Sequence, residues 1–531
     1  MMTPSAIYPI IKTWFTKAIG ALMVGTLTLP AVILSGCGGD VSGGAQTVVN
    51  SGGPVTGARL FVNNVSGDDT NDGITLPFQS LQYALNQLRP GDVLVVQHNE
   101  GQPYHTDNII KQIYNADGVL LKTLRGYRVT NSGTISAPII IEGDITSRPV
   151  INQQQESFAS NRNDITLGLL LDCVSHIIVR NIEITKVNDA GISSSVNGAC
   201  ETNNITLEGN RIHHVYGEKY VGGIRLMGVS DTVIRNNEIS DVFSQLATEE
   251  NELIRTGRGL SNIVIDGNTF TNLDSGVIIN AQGLGSPAYS LNIEEPVANI
   301  QIHNNNFTQV KLPVNFHNQI SDTSANDEIK TGLFKSVDVS GNLFHMPEDS
   351  EKADSAILLD LGGSEYQSES FCLFNNNFID TASIVIDISG VKTVEIFNNI
   401  FHPTLEGFDV NLLVTRSPEN PSLENSIAYS DYNLYFAPAD YLSWRLDAGG
   451  PLEDVFRDMD NWQNVESHPQ LSTKPEADSQ KNTDPLFIDQ LNNDFRLSVE
   501  SPALLAGRNG VSIGYDYTQA LDFRSNCRAL F

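Results

Sequence analysis

Four pentapeptides of this 531-residue chain end on a side chain able to move a proton or bind a cation: Gly276–Asn280 (GVIIN), Pro313–His317 (PVNFH), Ala356–Asp360 (AILLD) and Ser383–Asp387 (SIVID). In each, apolar residues alternate with others, the period-2 pattern of a strand with one buried side. On that reading Asn280, His317, Asp360 and Asp387 form one outward column, and Ser193, Arg225, Ile278, Asn315, Leu358, Val385 and Asn411 a second. Strands stacked about 4.8 Å apart bring Asp360 and Asp387 close enough to share a proton, flank a glycosidic bond or hold calcium. His317 is then placed as a general base. Asn280, Asn315 and Arg225 become substrate-binding groups, Arg225 about 19 Å from Asp360 and suited to a remote sugar subsite. A plainer reading stands beside this one: Asn280, Asp360 and Asp387 begin turn-like strings (NAQG, DLGG, DISG), where Asn and Asp cap the backbone.

Such columns need a stack of similar strands, and the sequence supplies one. ITLEGNRIHHV, TVIRNNEISDV, IVIDGNTFTNL, IQIHNNNFTQV, VDVSGNLFHM, FCLFNNNFID and VEIFNNIFHP share a template of alternating apolar residues, Gly or Asn, then Asn. The shared residues are Asn210, Asn237, Asn268, Asn305, Asn342, Asn376 and Asn399, with a degenerate copy, IVRNIEI, at Ile178. Gly or Asn supplies the left-handed backbone that turns each strand, so each copy is one coil of a β-solenoid. A second strand follows in most coils, the third coil's remaining open. Stacking aligns the asparagine amides into a ladder and buries a continuous core. PFQSLQYALNQL predicts a helix over 77–89, with Phe78, Leu81, Leu85 and Leu88 on one face, covering the edge of the first coil. His213 and His214 fall in a segment, Ile212–Val221, read as a bordering loop with solvated histidines, and SGDDTNDG at Ser66 reads as a turn.

With 32 Lys and Arg against 62 Asp and Glu, the net charge of -30 disfavours nucleic acid and anionic membrane as partners. No P-loop, dinucleotide fingerprint or GxSxG elbow occurs. Lys12 and Lys17 precede an apolar run, Ala18–Leu34, that reads as an export signal. Cys173 and Cys200 precede Ile182 and Asn210 by nearly equal distances and so fall at similar heights on adjacent coils, an expected disulfide in an oxidising compartment. Cys372 and Cys527 are left unassigned.

Two resemblances extend this. Leu34-Ser35-Gly36-Cys37 resembles the lipobox of bacterial lipoproteins, which implies a lipidated Cys37 anchored in the bilayer, and Gly38 after it implies an outer-membrane address. The repeat, with NDGITLPFQSLQYAL, PGDVLVV, SAPIIIEG and DPLFIDQLNNDFRLSVESPALLAG, resembles the secreted right-handed parallel β-helix proteins of the pectin-lyase type over 58–530. The expected organisation is a signal peptide (1–36), lipidated cysteine and glycine-rich tether (37–57), N-terminal cap and first coils (58–150), all-β right-handed parallel β-helix (151–436), and C-terminal coils and cap (437–531). The expected function is lyase-like degradation of an extracellular acidic polysaccharide by a monomer, with calcium as the conceivable cofactor at Asp360 and Asp387. Lyases of this fold employ Lys or Arg as base, and neither stands in the inferred column. The alternatives are a glycoside hydrolase using Asp360 and Asp387, and a glycan-binding adhesin without catalysis.

Overall fold

The computed structural model describes residues 57–515 apart from 116, 145–146, 155–163, 195–201, 218–220, 227–228, 245–253, 257–260, 282–296, 319–329, 332–333, 347–352, 361–365, 381, 390, 404–409, 417–426, 437–441, 448–452, 457–458 and 464–473. Two compact units are distinguished, 1–51 and 52–531, and all described residues belong to the second. Cys37, Cys200 and Cys527 lie outside the described residues.

Period-2 alternation interrupted by single left-handed residues makes a chain that runs straight, bends and runs straight again. The result is a right-handed parallel β-helix with three faces. The first face stacks twelve strands in parallel, from Arg59–Val62 through Ser175–Arg180, Val229–Arg235 and Tyr366–Phe374 to Ile427–Asp431. The second runs from Val150–Asn152 through Glu183–Val187, Arg211–Gly217 and Glu238–Ser244 to Gln480–Lys481. The third includes Asp164–Leu171, Ala190–Ser194, Gly222–Arg225, Ala353–Asp360, Ala382–Ser389 and Val410–Arg416. Thr269–Ala281 and Asn306–Asn318 each continue from the second face into the third.

The asparagine ladder forms as expected. Asn305, for example, donates both its backbone and side-chain nitrogen to Asn342 Oδ1, at 2.9 and 3.0 Å, and its amide also reaches Ile265 O at 2.9 Å. The same arrangement links Asn210 to Asn237 and onward to Asn399. The residue before each ladder position is left-handed, Gly209 at φ 62° and Asn236 at φ 53° among them. The ladder is one rung longer than the repeat suggested: Asn399 donates to Asn433 Oδ1 at 2.9 Å, after a left-handed Tyr432 that hides the motif. Inside the second face a parallel stack of rings, Phe270, Phe307, Phe344, Phe378, Phe401 and Tyr435, keeps centroids 4.8–5.1 Å apart. That spacing equals the rise between coils, so each ring packs on the next without leaving the core.

The helix spans Leu81–Gln87 and packs Leu81, Ala84 and Leu85 onto the first strands. It begins four residues after Pro77, because Phe78 pairs with Val62 as an isolated bridge. The Ser66 segment is a turn: Asp72 accepts backbone N–H from Ile74 and Thr75, at 2.9 and 2.8 Å.

Candidate functional site

Strand register on the third face decides which of the expected residues meet. Asn280, His317 and Asp360 are direct cross-strand neighbours. Asp387 is not in their column: it stands opposite Leu358, and Ser389 stands opposite Asp360. Ile384, Ile386 and Ile388 are all apolar, so sliding this strand by two residues leaves the same side apolar, and alternation alone is blind to the difference. The strand settles with Ile386 against Ile357. Asp387 therefore joins Ile278, Asn315, Leu358 and Val414, the place expected for Val385, and is diagonal to Asp360.

The third coil supplies the strand left open above. Ile254–Thr256 pairs with Thr269–Ala281 and sets Arg255 opposite Asn280. At the other end Ser389 stands opposite Arg416. The column thus reads Arg255, Asn280, His317, Asp360, Ser389, Arg416, Asp447, with two guanidinium residues where the sequence reading placed no cation and a carboxylate residue opposite the second of them. Its positions alternate with the buried Ile279, Phe316 and Leu359 and so fall on the outer side of the sheet. The register of Asn280, His317 and Asp360 is described; their side chains lie outside the described set.

Two polar side chains of the adjoining column are buried. Asp387 is 4% exposed and Asn315 1% exposed. Asn315 is unusual: among the described residues neither its Oδ1 nor its Nδ2 has a hydrogen-bond partner. A buried amide left unpaired costs about 1–3 kcal/mol, so this position is held at the expense of stability. Arg225 lies further along the same face and is engaged with Asp189, Nη1 to Oδ1 at 2.7 Å and Nη2 to Oδ2 at 2.5 Å, both side chains being largely buried.

The first face offers less. Glu142 is shared by Arg59 and Arg180 at 2.8 and 2.6 Å, and Arg235 meets Glu208 at 3.1 Å. Toward its C-terminal end the segment around Arg508 lies over the outer side. Arg508 sits 5.1 Å from the Phe397 ring centroid and 4.9 Å from that of Tyr429, with Nη1 3.8 Å from Glu395 Oε2. Burial pushes the Glu395 carboxyl up to about 7, against the opposing pull of Arg508.

Cys173 and Cys372 are each disulfide-bonded. Cys173 lies two residues before the strand Ser175–Arg180, and Cys372 lies in Tyr366–Phe374, six strands along the first face. At about 4.8 Å per strand they are near 29 Å apart and cannot be bonded to each other. The partner expected for Cys173, Cys200, is outside the described residues.

The fold is a right-handed parallel β-helix. No protein-family model and no curated protein matches the sequence. Solved structures similar to the chain include a rhamnogalacturonan lyase, at 12% identity and TM-score 0.41 over 66% of this chain and 83% of that one. A pectate lyase matches at 13% identity and TM-score 0.37, over 87% and 96%. A family 28 exopolygalacturonase of Yersinia enterocolitica matches at 10% identity and TM-score 0.39, over 68% and 77%. Among the described residues no three His, Cys, Asp or Glu side chains converge as metal ligands, and no helix is long and apolar enough to cross a membrane.

Proposed function

We propose that the protein is a lipid-anchored, carbohydrate-active enzyme that cleaves an extracellular acidic polysaccharide by elimination, the polymer lying along the third face. The observation that carries this reading is the register column itself, Arg255 and Arg416 flanking a run in which His317 stands beside Asp360. Five strand steps separate the arginines, roughly 24 Å, a length over which several sugar carboxylates can be met by two cations. These two cations are local attractions for an acidic polymer on a chain of net charge -30, the second of them opposed by Asp447 on the next strand. His317 takes the proton on the carbon next to the carboxylate, that electron pair forms the C=C bond, and the glycosidic C–O bond breaks. The imidazolium, beside Asp360, returns its proton to the departing oxygen. The unpaired Asn315 amide, two residues before His317, is a donor for the sugar carboxylate.

Calcium requires six to eight oxygen ligands. Asp360 and Asp387 hold diagonal rather than neighbouring positions, so as a pair they do not fit such a site, and no step passes through the ion. That same diagonal favours one second reading, hydrolysis. Diagonal neighbours across a sheet are about 7–8 Å apart, in the range of an inverting carboxylate pair with room for water. Digestion of acidic and neutral polysaccharides, with and without chelator, separates the two. Elimination gives ultraviolet-absorbing unsaturated ends, persists with chelator and is lost in His317→Ala. Saturated reducing ends lost with either carboxylate would replace elimination with hydrolysis, and no cleavage of any polymer would leave a binding protein.

A further inference from the structure

The second face carries a cluster that this chemistry does not use. His213 and His214 are not in a loop but on the strand Arg211–Gly217. Glu183, on the preceding coil, lies 3.1 Å from His213 Nε2 through its Oε1. The Nδ1 atoms of His213 and His214 are 2.5 Å apart, and Thr185 Oγ1 reaches His213 Nδ1 at 3.3 Å. The hydrogen bond from His213, with the charges of Arg211 and Arg148, holds the Glu183 carboxyl below its ordinary range, so it accepts and does not donate. Neutral His213 must therefore carry its proton on Nε2 and offer a lone pair at Nδ1. Two ring nitrogens this close need one proton between them, and only His214 Nδ1 is left to bring it. His214 is thereby fixed in the tautomer whose Nε2 is bare. It is exposed and makes no other hydrogen bond among the described residues.

The surroundings suit a sugar. The Tyr216 ring stands edge-on to His214 at 5.8 Å and stacks on Phe243 at 6.1 Å with 5° between planes. Flanking strands place Lys186 on one side of His214 and Asp241 on the other, while Arg211 and Glu238 lie along the same face. We propose that this cluster is a saccharide-binding subsite, in which His214 Nε2 accepts a hydrogen bond from a sugar hydroxyl and the ring's C–H face packs on Tyr216. The ligand class rests on the carbohydrate reading above; the tautomer argument does not. The subsite is three coils from His317 and on another face, so it holds a distant part of a chain or a separate glycan.

Long-range proton–nitrogen spectra of the histidine-labelled full chain test it. At neutral pH His214 Nε2 is expected unprotonated and His213 Nε2 protonated; a protonated His214 Nε2 would overturn the relay. Titration with neutral and acidic di- to hexasaccharides should shift His214 in wild type and equally in His317→Ala, which separates this subsite from the third face. Affinity should fall about three- to tenfold in Tyr216→Leu with the tautomers unchanged, and in Glu183→Gln with His213 released from its tautomer. Polysaccharide cleavage by a protein whose His214 no oligosaccharide shifts would discard the subsite and leave the enzyme reading. A shifted His214 without any cleavage would do the reverse.

Discussion

Asn433 Nδ2 donates to Glu476 Oε2 at 3.1 Å, and with that contact the asparagine ladder ends on a carboxylate. Ser479 Oγ accepts the Asn433 backbone N–H at 2.8 Å, and the hydroxyls of Ser430 and Ser479 both donate to Glu476. A serine and a carboxylate thus stand where the next asparagine would be. Burial pushes the Glu476 carboxyl up, against four side-chain hydrogen bonds that pull it down.

Rung and terminus should differ in what they cost. Asn305→Ala strands a backbone N–H of Asn268 and a carbonyl in the core, and is expected to destabilise by about 1–3 kcal/mol. Glu476→Gln keeps an acceptor for Asn433 and should cost less than Glu476→Ala. Denaturant unfolding checks the order; a neutral Asn305→Ala would mean that water replaces the amide.

Much of this fold was legible because the ladder needs one residue type at one position per coil, and seven of its asparagines stand in the repeat. Asn433 escaped because Tyr432 takes the left-handed position that Gly or Asn holds elsewhere. Register was legible only modulo two: alternation assigns sides, while the offset that separates Asp387 from Asp360 depends on which isoleucine meets Ile357. Arg255 was invisible because the second strand of the third coil was left open, and Arg416 because its strand takes the opposite sides from those expected: Asn411 stands opposite Ile384, and Val414 rather than Asn411 opposite Asp387. The His213–His214 pair was misread as loop because one left-handed residue, His214 at φ 55°, interrupts the alternation within its strand.

Glu395 should make stability fall with rising pH. Its carboxyl is raised to about 7 from 4.5, so between those values the folded protein holds a proton that the unfolded chain has lost. The loss is fully avoided below about 4.5 and complete above about 7. Glu395→Gln should gain on wild type across that window by about 1–3 kcal/mol, at most what the shift allows. Unfolding at pH 4.5 and pH 8 reads it; a pH-independent difference would mean the carboxyl is hydrated.

Two separate disulfides are expected. Non-reducing peptide mapping should find Cys173 and Cys372 in different linked pairs, and reduction should cost about 2–4 kcal/mol for each. A Cys173–Cys372 peptide would contradict the strand order of the first face.

Membrane attachment is expected to depend on one atom, the sulfur of Cys37. Cys37→Ser should release the protein from the membrane fraction or leave it unprocessed, with the β-helix intact. Persistent fatty-acid labelling of that variant would remove the anchor.

Asn315 offers the sharpest separation of function from fold. Its amide is buried with both polar atoms unpaired among the described residues, so Asn315→Leu, similar in volume and apolar, should stabilise the folded chain by about 1–3 kcal/mol. The partner proposed for this amide is the sugar carboxylate beside His317. The same variant should then raise KM for an acidic polysaccharide at least tenfold, the weight of one lost hydrogen bond to a charged group, with its products unchanged. Measuring melting and turnover on one preparation gives both readings together. Greater stability with unaltered KM would mean that Asn315 serves neither packing nor substrate, and the third face would lose its best-described contact.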